Sequence, residues 1–203
     1  MNSQNTLSER ELYQKKYNSG RSNLLTAILF TVVNVVLCLF KSTSYFLFSA
    51  QVPYFLVYEG MWWAGRMPDE SYIEAFGAPK EEVAFLPATA FYVMVAFAVS
   101  IILLYVLCWV FSKKSPGWLI AALVLFVLDT VVLVLVSLFY YIFDASMIVD
   151  MAFHALVIFY LISGINAARK LRKLPEEEPT DDQEPALAEV SKLNGEEEQG
   201  SEE

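Results

Sequence analysis

Two ionisable side chains lie deep inside apolar runs of this sequence, where their types could support proton or cation chemistry. Asp129 lies near the middle of the run 118–142, and His154, the only histidine, lies in the run 147–168. An ionised carboxylate at mid-membrane costs about 2.5–3.5 kcal/mol on insertion scales, which apolar neighbours can offset. A deep carboxylate and imidazole could carry protons or cations, or could instead form hydrogen bonds that fix helix packing.

Three further polar residues fall where they could join these two. Thr130 and Ser137 lie on or beside the helical face of Asp129, and Asn34 lies in the first apolar run. Counted from the outer connection, Asp129 and His154 differ in depth by about four residues, or about 6 Å, whereas Asn34 is better matched. The predicted intramembrane cluster is therefore Asp129, His154, Asn34, Thr130 and Ser137. Two interpretations stay open: a titratable switch, or neutral hydrogen bonds within the bundle.

The elements that must position these residues are membrane-spanning helices. Of the 203 residues, 56% are hydrophobic, and the mean hydropathy is +0.44. Soluble domains contain about 45–50% apolar residues, and here the apolar residues form runs longer than about 18. We therefore predict an all-α polytopic membrane protein with four transmembrane helices. The predicted spans cover 24–40, 85–111, 118–142 and 147–168.

The segments outside these spans are assigned from charge and composition. Residues 1–22 are predicted to be a cytoplasmic juxtamembrane segment, and 23–168 the four-helix transmembrane domain, with 41–84 as its extracytoplasmic loop. The region 169–203 is a basic stop followed by an acidic tail. That tail holds twelve acids and one lysine from residue 174 onward, with few residues able to form a core, so we expect it to be disordered.

The aromatic segment 45–63 is apolar but differs from the four spans. Pro53 is expected to divide it into halves too short to cross a membrane, and its tyrosines and tryptophans favour the headgroup level. We predict that it lies in the interface or re-enters the membrane. A fifth span is the alternative, but it would place Lys113 and Lys114 on the opposite side from the basic N-terminal segment.

Local signals predict where individual helices begin and end. Thr6 and Glu9 fit a capping box, followed by a short helix that ends near 18–20. Residues 68–77 indicate a short amphipathic helix with a glycine stop. Glu81 and Glu82 suit the first turn of the next helix. Pro87 either kinks the start of the second span or marks where that span begins. The acids Asp144 and Asp150 are interpreted as helix-start carboxylates of the fourth span.

Basic residues near the spans predict the orientation, because cytoplasmic loops carry the excess of Lys and Arg. One side collects ten: Arg10, Lys15, Lys16, Arg21, Lys113, Lys114, Arg169, Lys170, Arg172 and Lys173. The other side has three: Lys41, Arg66 and Lys80. We expect a multi-pass protein of the cell membrane with both termini cytoplasmic. The cluster Arg169, Lys170, Arg172 and Lys173 acts as a topology determinant that also contacts anionic lipid.

Missing motifs narrow the classes of function. One histidine cannot supply a bis-histidine haem, and no Cys/His grouping has zinc-ligand spacing, so we expect no metal and no cofactor. No P-loop, nucleophile elbow or kinase signature is present, and the charge balance gives nucleic acid no support as a partner. The expected partners are the lipid bilayer and a second membrane protein or a second copy of this chain.

Two segments carry a resemblance to a known group of proteins. Residues 24–54, especially Tyr45-Phe-Leu-Phe-Ser-Ala-Gln-Val-Pro-Tyr54, and residues 154–173 resemble small multi-pass bacterial integral membrane proteins without an assigned function. The resemblance implies a fold class and no functional residue. The first functional hypothesis is a non-enzymatic accessory or scaffolding protein that works through helix packing and its tail. The alternative is a small proton- or cation-coupled transporter subunit that uses Asp129 and His154.

Overall fold

The computed structural model describes residues 8–42, 44–139 and 145–175, and within these ranges the chain is helical without any strand. Six α-helices follow one another with one 3₁₀ turn, Lys80–Glu82, between the third and fourth. They are α1 (Glu9–Leu39), α2 (Gln51–Trp63), α3 (Asp69–Phe76), α4 (Ala88–Phe111), α5 (Gly117–Phe139) and α6 (Ala145–Leu171). The predicted acidic tail beyond residue 175, Asp144 and the end of the third predicted span lie outside the described residues.

Four of these helices, α1, α4, α5 and α6, are long and apolar enough to cross a membrane. The predicted all-α polytopic fold with four spans is therefore confirmed. The predicted start of the second span is three residues too early, because Pro87 occupies the N-cap of α4 and the helix begins at Ala88. The fourth span begins at Met147 as predicted but continues three residues farther, to Leu171, and α6 itself begins at Ala145.

The first helix differs most from its prediction. The sequence suggested a separate short helix that ends near 18–20, but α1 continues through this point for 31 residues. Gly20 does not end the helix, because it is buried against α6. The capping box also lies two residues later than predicted, since Ser8 is the N-cap. The Glu11 amide donates to the Ser8 hydroxyl over 3.2 Å, and the Ser8 amide donates to the Glu11 carboxylate over 2.8 Å.

The close pair α1 and α6 is the centre of the bundle. At their crossing, a Cβ atom added to Gly20 would lie 2.9 Å from the Tyr160 carbonyl oxygen and 3.2 Å from the Gly164 Cα. Lys170 donates to the Tyr13 hydroxyl over 3.1 Å, which places the end of α6 beside the start of α1. The two helices are therefore antiparallel, and small residues bring their backbones together.

The same end of the bundle holds the link between α4 and α5. The Tyr17 hydroxyl donates to the Ser112 carbonyl, and the Arg21 Nε donates to the Ser112 hydroxyl over 2.8 Å. A cation near the last carbonyls of α4 complements the negative end of the helix dipole. Helices α4 and α5 pack as neighbours across this tight link.

The aromatic segment forms α2, whose 13 residues extend about 20 Å and are too few to cross a membrane. Pro53 does not divide this helix, contrary to the prediction. It is the third residue of α2, where a proline removes no intrahelical hydrogen bond. Helix α2 packs against α1, α4 and α5, so the segment lies within the bundle and is not a fifth span.

The outer connection after α2 contains α3 and the 3₁₀ turn. Gly77 ends α3 in the left-handed conformation with φ +66°, which confirms the predicted glycine stop. Glu81 and Glu82 lie in the first turn of the next helix, as predicted. That helix is the 3₁₀ turn Lys80–Glu82, and non-helical backbone from Val83 to Pro87 separates it from α4.

Candidate functional site: the buried attachment of the re-entrant helix

The chain turns back into the bundle after α1, and Asn34 holds the returning segment. Its amide nitrogen donates to the Phe46 carbonyl over 2.6 Å and to the Ser49 hydroxyl over 2.9 Å. Its amide oxygen accepts from the Phe46 backbone over 2.8 Å. Because Asn34 is completely buried, these bonds satisfy a polar side chain that lipid could not. Asn34 therefore fixes the segment 44–50 against α1.

Thr31 holds the same segment one helical turn deeper. Its hydroxyl donates to the Ala27 carbonyl over 2.7 Å and accepts from the Ala50 backbone amide over 2.8 Å. Thr31 lies eight residues before the end of α1, which corresponds to about 12 Å along the helix axis. The segment thus descends beside α1 before α2 begins, which makes it re-entrant.

Asp129 caps the first turn of α2 from across the bundle. Its Oδ2 accepts from the Gln51 amide and its Oδ1 from the Val52 amide, each over 2.8 Å. The next residue, Pro53, has no amide hydrogen, and the amide of the N-cap Ala50 is bound to Thr31. All free amides at this helix start therefore have partners. The negative carboxylate also lies at the positive end of the helix dipole.

His154 lies beside this attachment and does not bond to Asp129. Its Nδ1 is 2.9 Å from the Thr130 hydroxyl, which itself donates to the Phe126 carbonyl over 2.7 Å. The imidazole packs on the Phe126 ring with centroids 4.9 Å apart. Its Nε2 is buried without a hydrogen bond of normal geometry, although the ring interacts with the Ser49 backbone. His154 thus also faces the re-entrant segment.

The predicted cluster is therefore not one connected network. Asn34 on α1 and Asp129 on α5 each bind backbone of the re-entrant segment, and the His154 ring on α6, paired with Thr130, lies beside it. Ser137 lies apart, two turns along α5 from Asp129, and donates to the Leu133 carbonyl over 2.9 Å.

The end of α6, which carries Arg169 and Lys170 of the basic cluster, lies at the opposite end of the bundle from α2. Arg169 and Lys170 occupy the last turn of α6, and Arg172 and Lys173 follow it. The Lys170 ammonium lies 4.9 Å from the centre of the Tyr13 ring. These residues do not take part in the attachment of the re-entrant helix.

Sequence reasoning missed the partners of the buried polar residues. Ser49 and Gln51 were not singled out, and the amides of Ala50 and Val52 carry no sequence signal because every residue except proline has one. Phe48 reverses the chain with a φ of +72°, a conformation rare for a bulky residue. Its ring packs edge-on against Phe153 of α6, with centroids 5.5 Å apart.

A cavity of about 570 Å³ adjoins this attachment, between α2, α3, α5 and the first turns of α6. Asp150 lies in the second turn of α6, not at its start as predicted, and accepts from the Gln51 side chain over 3.2 Å. The cavity is lined by Gln51, Tyr54, Phe55, Tyr58, Glu59, Trp62, Trp63, Tyr72, Ala75, Phe76, Val83, Phe85, Leu133, Val136, Ser137, Met147 and Asp150.

The described residues contain no group of three or more His, Cys, Asp or Glu side chains that could hold a metal ion. Chemically, the attachment site can accept backbone hydrogen bonds and neutralise a helix dipole.

No protein-family model, curated protein or solved structure matches this chain. The resemblance to small bacterial membrane proteins therefore stays a prediction.

Proposed function

We propose that this chain is a non-enzymatic accessory or scaffolding protein of the cell membrane. One observation carries this proposal: both carboxylate oxygens of Asp129 accept backbone amides of α2. A proton carrier must gain and lose a proton at such a group. Protonation of Asp129 would turn one acceptor into a donor that faces an amide, and would weaken the start of α2. We therefore assign Asp129 a structural role, which is to hold the start of α2.

The outward surface of α4 supports a role in assembly with a partner. The small residues Ala88, Ala96 and Ser100 share one stripe of α4 and face outward, whereas Ala98 is buried. The Ser100 hydroxyl is satisfied within its own helix by the Ala96 carbonyl over 2.8 Å. A small-xxx-small pair on a lipid-facing surface permits close approach of another helix, from a second membrane protein or a second copy.

The charge distribution supports an orientation with both termini cytoplasmic. The contacts of Tyr17 and Arg21 with Ser112, and of Lys170 with Tyr13, bring the basic ends of α1, α4 and α6 to one side. Lys41, Arg66 and Lys80 belong to the other side. Under the positive-inside rule the first side faces the cytoplasm, where the acidic tail would also lie.

Site-specific crosslinking in the native membrane tests the accessory role. A photoreactive residue at Ala96 samples the small-residue surface of α4, and the same residue at Val124, an exposed position on α5, is the matched control. We expect a discrete crosslinked species from position 96 and none from 124, with its identity given by mass spectrometry. A chain that remains a solitary monomer at both positions, and purifies alone in mild detergent, would contradict the proposal.

The competing proposal is a proton- or cation-coupled transporter subunit that uses Asp129 and His154. The observation in its favour is the buried His154 Nε2, which lacks a normal hydrogen bond beside a re-entrant segment, since such segments line transport sites in other membrane proteins. It predicts a pH-dependent flux in proteoliposomes that Asp129→Asn abolishes without loss of folding. The accessory role predicts no such flux in the wild type and a loss of stability in the variant.

A further inference from the structure

One face of α2 lines the 570 Å³ cavity. Tyr54, Tyr58 and Trp62 recur at intervals of four residues and therefore share this face. The opposite face is packed, since Val57 and Met61 are buried and a Cβ added to Gly60 would lie 3.2 Å from the Met94 sulfur on α4. The unfilled space beside α2 is thus bounded by its aromatic face, and its volume is within the range of about 300–1,000 Å³ typical of ligand sites.

Aromatic rings form a continuous wall along this space. The Tyr54 and Tyr58 rings stack with centroids 5.9 Å apart, and the Trp62 ring lies 6.2 Å beyond Tyr58. Tyr72 extends the wall onto α3, with its centroid 5.1 Å from that of Trp62, followed by Phe76 at 6.3 Å. Electron-rich tyrosine and tryptophan rings attract organic cations.

The charged residues that line the cavity also favour a cation. Two carboxylates, Glu59 and Asp150, line the cavity, and none of its lining residues in the described part of the chain is Lys or Arg. Each carboxylate is held in place: the Trp63 Nε1 donates to Glu59 over 2.7 Å, and the Gln51 side chain donates to Asp150. A negative, aromatic cavity favours a cation and disfavours an anion.

We propose that this cavity binds an organic ammonium cation with apolar substituents. The ammonium would lie against the rings of Tyr54, Tyr58 and Trp62 and near the carboxylates, and its apolar part would contact Leu133 and Val136 of α5. The same chemistry is found in the choline headgroup of a lipid and in a free lipophilic cation. The proposal does not depend on the accessory role, because it concerns a different surface of the protein.

Binding of dodecyltrimethylammonium to the purified full-length protein tests the proposal. Calorimetry in a nonionic detergent would compare this probe with its neutral analogue, in which carbon replaces the nitrogen. We expect saturable binding of the cation and at least about tenfold weaker binding of the neutral analogue. Equal binding of the two, or no saturable binding, would overturn the proposal, the former by identifying the cavity as a site for acyl chains.

Substitutions distinguish the contribution of the aromatic rings to binding from that of the carboxylates. Tyr58→Leu removes a ring and is expected to weaken binding about 2- to 30-fold, whereas Tyr58→Phe keeps the ring and should retain most of the affinity. Glu59→Gln should also weaken binding, because it removes a charge with little change in shape. Phe97→Leu, an exposed position on α4 away from the cavity, is the control. Unchanged affinity in both Tyr58→Leu and Glu59→Gln would overturn the assignment of the site.

Lipid nanodiscs distinguish the two sources of the cation. If the occupant is a choline headgroup, the affinity for the probe should fall in phosphatidylcholine compared with phosphatidylglycerol, because the lipid competes. If the occupant is a free lipophilic cation, phosphatidylcholine should not compete, and the ratio of cation to neutral-analogue affinity should be the same in both lipids. Either result supports an ammonium site and names its source, whereas a ratio near one in both lipids would overturn it.

Discussion

The backbone amide of Gln51 donates a 2.8 Å hydrogen bond to the carboxylate of Asp129, 78 residues later in the chain. The residue after Gln51 donates an equal bond to the second carboxylate oxygen. A helix start is usually capped by its own preceding side chain, but Ala50 has no side chain able to accept. The cap of α2 therefore comes from α5, and the re-entrant helix can complete its first turn only when the bundle has formed.

Replacement of Asp129 should destabilise the protein even though it removes an acid from an apolar helix. Asp129→Ala leaves two partly buried amides without acceptors, and Asp129→Asn presents a donor to one of them. Hydrogen bonds within membrane bundles contribute about 0.6 kcal/mol each, and up to about 1.7. We expect each variant to lower the free energy of unfolding by about 1–3 kcal/mol, measured by denaturant titration in one detergent.

Ser100→Ala is the matched control for these variants. Its hydroxyl bonds only within its own helix and is exposed, so its removal should change stability by less than about 0.5 kcal/mol. If Asp129→Asn proved as stable as wild type while Ser100→Ala behaved as expected, the capping role of Asp129 would be wrong.

Asn34→Ala should loosen the descending segment more than the helices around it. The amide of Asn34 makes three hydrogen bonds to Phe46 and Ser49, and no other described side chain bonds to the Phe46 backbone. We expect faster hydrogen exchange at the amides of 44–52 and little change in α4, as measured by mass spectrometry. If the amides of 44–52 exchanged as slowly in the variant as in the wild type, packing and not Asn34 would hold the segment.

The sequence predicted the helices well because long apolar runs specify spans by local composition. The number of spans and the glycine stop at Gly77 both follow from residues close together in the chain. Helix ends were less accurate. The capping box was predicted at Thr6 but lies at Ser8, and the second span was predicted to begin at residue 85 but its helix begins at Ala88.

The sequence predicted two buried polar side chains of the attachment site but not the backbone groups to which they bind. Asn34 and Asp129 are unusual within apolar runs and were therefore recognised. Their partners are backbone amides of 46–52, which look the same at every position in a sequence. The turn at Phe48 adopts a positive φ without a glycine to mark it, so nothing local indicated that the chain would reverse there.

We predict that the protein loses stability at alkaline pH because Tyr72 is deprotonated. Its buried hydroxyl donates to the Trp62 carbonyl over 2.9 Å and accepts from the Met67 amide over 3.2 Å. Burial raises the pKa of this phenol above its ordinary value of 10.0. The folded protein therefore keeps the proton where the unfolded chain releases it, so the stabilisation is present below pH 10 and is lost as pH rises through the raised pKa.

Denaturation at pH 8 and at pH 11 measures this effect. Wild type should lose stability between the two pH values, and Tyr72→Phe should lose less because the titrating group is gone. At pH 8 the variant should be about 1–2 kcal/mol less stable, since the Trp62 carbonyl and the Met67 amide lose their partner. An identical pH dependence in both proteins would assign the alkaline transition to other tyrosines.

Three glycines allow the close approach of α1 and α6 to be tested with a single type of substitution. A Cβ at Gly20 would lie 2.9 Å from the backbone oxygen of Tyr160, which cannot move without shifting the helix. At Gly164 the nearest atom is a methyl of Leu119 at 3.1 Å, which a rotamer change can relieve in part. At Gly117 the only contact is the Ser115 hydroxyl oxygen at 3.5 Å, an ordinary separation.

Alanine at these positions should therefore rank by available space and not by helix propensity. Propensity alone favours alanine over glycine by up to about 1 kcal/mol in a helix. We expect Gly20→Ala to lower the free energy of unfolding by about 1–3 kcal/mol because of overpacking, Gly164→Ala to lower it less, and Gly117→Ala to leave it unchanged or raise it slightly. If Gly20→Ala were instead as stable as Gly117→Ala, the two backbones would not meet as closely as Gly20 and Gly164 do here, and α6 would have to sit farther from α1.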